Sequence, residues 1–287
     1  MKSLVIGMGI GQLYQKVLNE LNFEVITADL NKPADYKFWQ DAVRDHKKFD
    51  TVHICTPNFT HNSIAFEIAP YCRILFVEKP GLRFESDWRK LVSLNPNTRC
   101  LMVKNNMWRD NISELKFLCE QSNEIRFHWL NENRVPHPGS WFTNRDLAFG
   151  GVSRDLLPHL LSLFIALEPN YEHAAWLYKN AWQRWELKDL TDGDYGQVDH
   201  NGVYNVDDHV DFECTVRQHR YFFRSSWRTG NPNDIGIHFD SHFVELGLCP
   251  ESAYRHMIED CVKNIDNDSF WEEQLYIDCW IHGKINL

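Results

Sequence analysis

Nowhere does the 287-residue sequence hold an apolar run of the roughly 20 residues that a membrane-spanning helix needs. The longest, LLPHLLSLFIAL (156–167), carries a histidine. Positive charge is scarce: 30 Lys and Arg stand against 40 Asp and Glu, a net charge of −10. That balance speaks against non-specific nucleic-acid binding and against anionic membranes, both of which need a basic surface. The eight cysteines, at 55, 72, 100, 119, 214, 249, 261 and 279, include no Cys-x-x-Cys pair and none at zinc spacing from a histidine. They read as buried, reduced thiols, and no metal is expected. The chain opens directly on a strand-like KSLVIGMG rather than on a basic-then-apolar leader, so the expected location is the cytoplasm. Internal repeats and low-complexity tracts are missing as well.

What is present is alternation. SLVIG, FEVITAD, FDTVHICT, CRILFVEKP and TRCLMVK read as short strands that are apolar on both faces. QLYQKVLNEL, DYKFWQDAVRDHK, HNSIAFEIAP and FESDWRKLVSL read as the helices between them. Strands buried on both sides and alternating with helices predict a doubly wound parallel sheet of the Rossmann type over residues 1–122.

The pattern changes after about residue 122. EIRFHWLNEN reads as a strand, RVPHPGSWFTNRDLAFGG as a loop, and VSRDLLPHLLSLFIAL as one helix, kinked near 154–157 by Pro158. HAAWLY, DHVDFECTVR, HRYFFRSSWR and IGIHFDSHFVEL read as strands, with a hairpin turn at RQH. In HVDFECTV, Val210, Phe212, Cys214 and Val216 share one face, as in a half-covered sheet. DLTDGDYGQVDHNG (189–202) reads as a long loop, and two helices, around 252–264 and 269–282, close the chain. Residues 123–287 are therefore expected to form an α+β domain on a mostly antiparallel, open sheet, for substrate binding and oligomerisation, with the last helix packing back on the first domain.

VIGMGIGQLYQKVL places Gly7, Gly9 and Gly11 between the first strand and the first helix. Dinucleotide sites use such a turn so that the backbone can approach a pyrophosphate lying on the helix N-terminus. Here the third glycine comes one residue early, G-x-G-x-G rather than G-x-G-x-x-G. Asp29, ending the second strand, stands where an acid would hold the ribose hydroxyls. An acid repels a 2′-phosphate and so favours NAD, while nearby Lys32 softens that preference and keeps NADP open.

Three further strings follow in order: VHICTPNFTHNSIAFEIA, LFVEKPG and GGVSRDLLPHLLSL. With the glycine turn, they resemble the glucose–fructose oxidoreductase and inositol dehydrogenase (Gfo/Idh/MocA) family of NAD(P)-dependent oxidoreductases. The resemblance covers residues 2 to about 170. It implies that Thr56, Pro57 and Asn58 line a cofactor groove and that His61 opens the next helix beside it. It also implies that Glu78 and Lys79 lie by the nicotinamide with Lys79 reaching the substrate, and that Asp155 and His159 face the same site. Arg109 matches an arginine after the fifth strand. It further implies that a cis Lys79–Pro80 bond is plausible.

The residues fit that chemistry on their own terms. Gly7, Asp29, Thr56 and Lys79 all sit at expected strand ends, where open α/β sheets bind ligands. Pro80 restricts the backbone of Lys79, and a lysine beside an oxidised nicotinamide loses its proton more easily. Asp155 and His159, spaced i, i+4, would share a helix face, and the acid can partner the buried imidazole. The expected reaction moves hydride between nicotinamide and a hydroxyl or carbonyl carbon of a sugar, cyclitol or related metabolite, with Lys79 or His159 handling the proton. Arg109, Trp141 and Arg224 are the candidate substrate contacts. Arg220, Arg224 and Arg228 fall on one expected strand face, suited to an anionic substrate or else to solvent or a second subunit. Bilin reduction on the same scaffold, and a non-catalytic dinucleotide sensor, are the alternatives. A homo-oligomer, dimer or tetramer, is expected.

Overall fold

Segments apolar on both faces pair side by side in the computed structural model, which describes residues 1–193, 195–247 and 250–286. The elements run β1 (Lys2–Ile6), α1 (Gly11–Glu20), β2 (Glu24–Ala28), α2 (Trp39–His46), β3 (Phe49–Ile54), α3 (His61–Ile68), β4 (Cys72–Val77), α4 (Glu85–Leu94) and β5 (Arg99–Met102). The five strands form one all-parallel sheet in the order β2-β1-β3-β4-β5. Leu4, Val5, Val52, Ile54, Ile74, Leu75, Phe76 and Val77 are fully buried in it. Continuous burial along each strand is what helices on both faces require.

The chain then continues with α5 (Ile112–Glu120), β6 (Glu124–Leu130), α6 (Arg145–Ala148), α7 (Val152–Asp155), α8 (Leu157–Leu167), β7 (Ala175–Trp182), β8 (His209–Val216), β9 (His219–Ser226), β10 (Asp234–His238) and β11 (Phe243–Glu245). The six strands make a second sheet in the order β11-β10-β6-β9-β8-β7, antiparallel except for the β6–β9 pair. α8 is apolar all round and buried along nearly its whole length, as such a helix must be. Its Phe164 ring meets Phe127, Tyr221 and Phe223 at 6.5, 4.9 and 5.3 Å. Burying an aromatic of this size contributes about 1.5–3 kcal/mol. Ile125, Phe127 and Trp129 of β6 therefore face α8, and His128 faces the other way.

Two helices end the chain, α9 (Glu251–Lys263) and α10 (Asp268–Ile285). Both return to the first sheet: the two compact units are Met1–Val103 with Glu251–Lys284, and the segment from Lys104 to Pro250 with the residues from Ile285 on. The division thus falls after Val103 rather than after residue 122. The physical reason is α5, a helix not expected from the sequence, which packs on α8 inside the second unit. α10 covers the open edge of the parallel sheet, where the fully buried Asp278 carboxylate accepts the Met102 amide at 2.8 Å. An edge amide left dry would be costly.

Three other expectations need correction. The single helix over 152–167 is two, α7 and α8, joined at Leu156. Pro158 at the start of α8 has no N–H to continue the α7 ladder. The single strand over 235–246 is the β10–β11 hairpin, closed by Phe239 N–H donating to the His242 carbonyl. On β8 the face opposite Val210, Phe212, Cys214 and Val216 is not simply wet: His209 and Glu213 are buried there. The described part of 189–202 is loop apart from Asp189, which ends a short 3₁₀ turn, and a single bridge between Gly193 and Gly196; residue 194 and Cys249 lie outside the described residues. The seven described cysteines are buried thiols. Among the described residues no helix is long and apolar enough to cross a membrane.

Burial also sets a pH response. His53 on β3 is 1% exposed and stacks on Phe76 at 4.5 Å. Burial pulls its pKa from 6.5 down to about 3, so the folded chain holds a neutral ring. Its contribution is complete above pH 6.5, where the unfolded chain is neutral too, and is lost as pH falls toward 3. We expect unfolding free energy to fall across that window by up to about 1.4 kcal/mol per pH unit from this group. The slope should shrink in His53→Leu, measured by urea titration at several pH values; an unchanged slope contradicts the assignment.

Candidate functional site

A parallel sheet delivers the carboxyl ends of all its strands to one edge, and in the order 2-1-3-4-5 the crevice opens between β1 and β3. After β1 the chain turns at Gly7, whose φ is +93° and whose N–H donates to the Ala28 carbonyl at 2.8 Å. A Cβ there would stand 2.7 Å from the Cys55 carbonyl oxygen, so only glycine lets the β1 and β3 turns approach so closely. Gly11 opens α1, and its missing side chain makes room for Val5, 2.9 Å from where a Cβ would lie. Gly9 is the exposed member of the turn, with the Lys32 ammonium 4.0 Å from the place of its Cβ.

Asp29 follows β2 and ties this turn to the next. Its Oδ2 accepts the Met8 amide at 2.6 Å, and its Oδ1 accepts Asn31 and Lys32 amides at 2.8 and 2.7 Å. Burial works to raise its pKa, but those three amides and the Lys32 cation outweigh it and hold the carboxyl below its ordinary value. A carboxylate has about four acceptor positions, and three are used within the chain.

After β3, Thr56 Oγ1 lies 2.6 Å from Thr60 Oγ1, and Thr60 N–H and Oγ1–H both donate to the Pro57 carbonyl. Thr56, Pro57 and Asn58 are half-buried at the edge. His61 is not at the surface. It is fully buried, with Nδ1 2.9 Å from the Gly81 carbonyl and Nε2 2.8 Å from the Thr56 carbonyl. It therefore staples the turn after β3 to the turn after β4. Burial keeps its pKa low, although both carbonyls favour the charged ring.

After β4 come Glu78, Lys79 and Pro80, with a cis bond between the last two. Glu78 is 6% exposed. Its Oε1 accepts the Tyr14 hydroxyl at 2.7 Å, and its Oε2 accepts the Lys79 amide at 3.1 Å. Tyr14 reaches it from α1 and is fully buried. Burial first, and the Glu78 charge second, push the Tyr14 phenol well above its ordinary pKa, so it stays a donor. Lys79 itself is half-buried. The first unit thus gathers Gly7, Gly9, Gly11, Asp29, Thr56, Pro57, Asn58, Glu78 and Lys79 along one edge, with His61 beneath.

In the second unit, Asp155 ends α7 and His159 lies one turn into α8. Asp155 Oδ2 accepts Trp227 Nε1–H at 2.8 Å. His159 is 7% exposed and stacks on Trp129 at 5.1 Å. Its Nδ1 lies 3.1 Å from Asn106 Nδ2. The Asn106 amide is oriented by Arg109, whose Nε donates to Asn106 Oδ1 at 2.8 Å. Asn106 therefore donates to His159 Nδ1, which leaves the ring proton on Nε2. Arg109 also donates to the Gly247 carbonyl at 2.7 Å and is buried. Gly150 and Gly151 lead into α7, and a Cβ on Gly151 would lie 1.8 Å from the Asp207 carbonyl oxygen. The Asp207 carboxylate accepts the Gly151 and Ser153 amides and the Ser153 hydroxyl.

Trp141 is half-buried in a short 3₁₀ turn, stacked on Phe142 at 3.8 Å. Arg224 is not brought to His159. It is the register partner of His128, on the sheet face away from α8, and pairs with Asp211 at 3.3 Å. Arg220 on the same face pairs with Glu213, and Arg228 lies beyond the strand end, over the Trp185 ring. Asn106, Tyr14 and Asp207 had no signal in the sequence reading. Tyr14 looks like one more apolar residue of a helix, and a lone Asn announces no chemistry.

No family model matches the chain. Among curated proteins it is 27% identical over 177 residues to one with the provisional name UDP-kanosamine synthase oxidoreductase subunit, from Amycolatopsis mediterranei (strain S699). That match takes in 56% of this chain and 49% of the relative, so the likeness spans about half the relative's length. Among solved structures, GenD2 from gentamicin A biosynthesis, in complex with NAD, superposes with a TM-score of 0.71 at 14% identity, over 99% of this chain and 92% of that one. Levoglucosan dehydrogenase, in complex with NADH and levoglucosan, gives 0.68 at 16%, over 99% and 96%. The fold of this chain is accordingly that of the Gfo/Idh/MocA-type dehydrogenases: an all-parallel Rossmann-like sheet followed by a mostly antiparallel one.

Tyr14→Phe would remove a buried donor from a buried carboxylate. A hydrogen bond to a charged group contributes about 1.5–3 kcal/mol. We expect a loss of that order in unfolding free energy, read by urea denaturation at neutral pH. No measurable loss would mean that Glu78 does not depend on this bond.

Proposed function

We propose that the chain is an NAD(P)-dependent oxidoreductase moving hydride between nicotinamide and a hydroxyl or carbonyl carbon of a sugar, cyclitol or related small metabolite. One observation carries the reading. The glycine turn, Asp29, Thr56–Asn58 and Glu78–Lys79 leave four adjacent parallel strands at the same edge, around the β1/β3 crevice. The fold and the sugar-related relatives support it.

In this reading the Gly7–Gly11 turn and the start of α1 receive the cofactor pyrophosphate, and the remaining acceptor position of Asp29 takes a ribose hydroxyl. The carboxylate favours NAD; the Lys32 ammonium beside Gly9 supplies a counter-charge that lets NADP bind. Thr56, Pro57 and Asn58 line the nicotinamide side, and Glu78 fixes the backbone from which Lys79 projects. The bound cofactor supplies the hydride acceptor.

Lys79 is assigned the proton. In the oxidative direction its neutral amine takes the hydroxyl proton of the substrate; in reduction the ammonium returns it. His159 is assigned hydrogen-bond donation, because its Nδ1 is occupied by Asn106 and its Nε2 carries hydrogen. Arg109 orients that relay rather than binding substrate directly. Asp155, held by Trp227, and Trp141 are assigned to substrate positioning. We extend the proposal to a cytoplasmic homo-oligomer, dimer or tetramer, for which the buried thiols and the half-open second sheet are the support.

Lys79→Ala should lower turnover by roughly 10²–10⁴ while leaving NADH binding, followed by fluorescence, within a few-fold of the parent. The assay uses NAD with a panel of sugars and cyclitols. Unchanged turnover removes Lys79 from the chemistry. Saturable NADH binding with no turnover on any member favours a dinucleotide sensor instead.

A further inference from the structure

The sheet face turned away from α8 carries a second cluster of chemistry-bearing side chains. His128 of β6 stands directly across from Gly236 of β10. Asp234 and His238, two residues to either side of Gly236, share that face. The gap left by the glycine is partly filled from β11 by the Phe243 ring, 2.3 Å from where a Cβ on Gly236 would lie. Phe243 also packs on His238, with ring centroids 4.5 Å apart.

Asp234 joins the two imidazoles. Its Oδ2 lies 2.7 Å from His128 Nδ1, and its Oδ1 lies 2.8 Å from His238 Nε2. The ring centroids are 4.7 Å apart. One ligating atom from each of the three residues lies within 4.8 Å of the others. A carboxylate between two rings is not a complete account of the cluster. His128 is 9% exposed, and its Nε2 is buried without a hydrogen-bond partner. The ring nitrogens that face Asp234, Nδ1 of His128 and Nε2 of His238, are the ones a shared ion would take, in place of their hydrogen bonds to the carboxylate. His128 would then carry its hydrogen on Nε2.

We propose that His128, Asp234 and His238 form a binding site for a divalent transition-metal ion of the zinc class, tying the β10–β11 edge hairpin to β6. The donor set decides the class. Two imidazoles with one carboxylate suit Zn²⁺ and its neighbours, whereas Ca²⁺ and Mg²⁺ want oxygen alone. Three protein ligands leave a fourth position for water. The nearest cations are charge-compensated: Arg224, across from His128 on β9, pairs with Asp211, and Arg126, across from His238, pairs with Glu124. Asp234 and His238 are about one-third exposed, which gives an ion a way in.

The test is independent of any dehydrogenase activity. Full-length protein, cleared of metal with a chelator, is titrated with Zn²⁺ by calorimetry at pH 7.5. One tight equivalent is expected. His238→Ala and Asp234→Ala, whose side chains are about one-third exposed and whose folding is checked by circular dichroism, should each weaken it by roughly tenfold or more. His128→Ala serves as a third variant where it folds. No tight equivalent in the parent overturns the proposal. So do superimposable titrations of parent and folded variants, since the bound zinc would then belong to other surface histidines.

Discussion

Parallel strands all end on the same edge, and that constraint decides where the chemistry-bearing residues of the first unit can be. Gly7, Asp29, Thr56 and Lys79 become neighbours because each is the first useful position after its strand. The close approach is made possible by glycine at 7, where the Cys55 carbonyl leaves no space for a side chain. The turns are then locked to one another rather than left to pack: Asp29 holds Met8, His61 bridges Thr56 and Gly81, and Tyr14 holds Glu78.

Each lock is a polar group whose burial would be costly alone. Glu78 is buried yet keeps donors on both oxygens. Asp207 and Asp208 show the same economy in the second unit. Asp207 accepts from the residues that start α7, and Asp208, fully buried, accepts the Arg184 and Trp185 amides, the Tyr204 hydroxyl and the His209 ring. These carboxylates act as fixed anchors for loops that have little apolar surface of their own. Conformational entropy would otherwise dominate such loops.

The sequence made the alternating half of this picture easy to read. Strands apolar on both faces, with glycines and prolines marking their ends, make the parallel sheet and its carboxyl edge legible, because local burial and local propensity agree there. Where two local signals competed, the reading failed. Pro158 signalled a kink, but not that α7 and α8 would be separate helices. FDSH carries no Asn-Gly or Gly-containing turn, so the β10–β11 reversal was invisible. α5 buries only Leu115 and Cys119, too narrow an apolar face to stand out from the loop around it. For the same reason the division after Val103 was placed too late. Arg224 illustrates a different limit: alternation in HRYFFRSSWR puts it opposite Tyr221 and Phe223, but only tertiary packing says which of those faces the helix covers.

Asn106 marks the deepest such limit, since its effect passes through two other residues. A neutral amide has no charge to betray it, and its two ends differ only in which atom donates. Arg109 resolves that ambiguity by donating to the oxygen, so the nitrogen must face His159, and the imidazole proton is displaced to the far side of the ring. An arginine that looked like a substrate ligand thereby becomes the residue that sets a histidine's tautomer. The side of the ring on which His159 carries its hydrogen is set two hydrogen bonds away from the arginine, in geometry that only the folded chain contains.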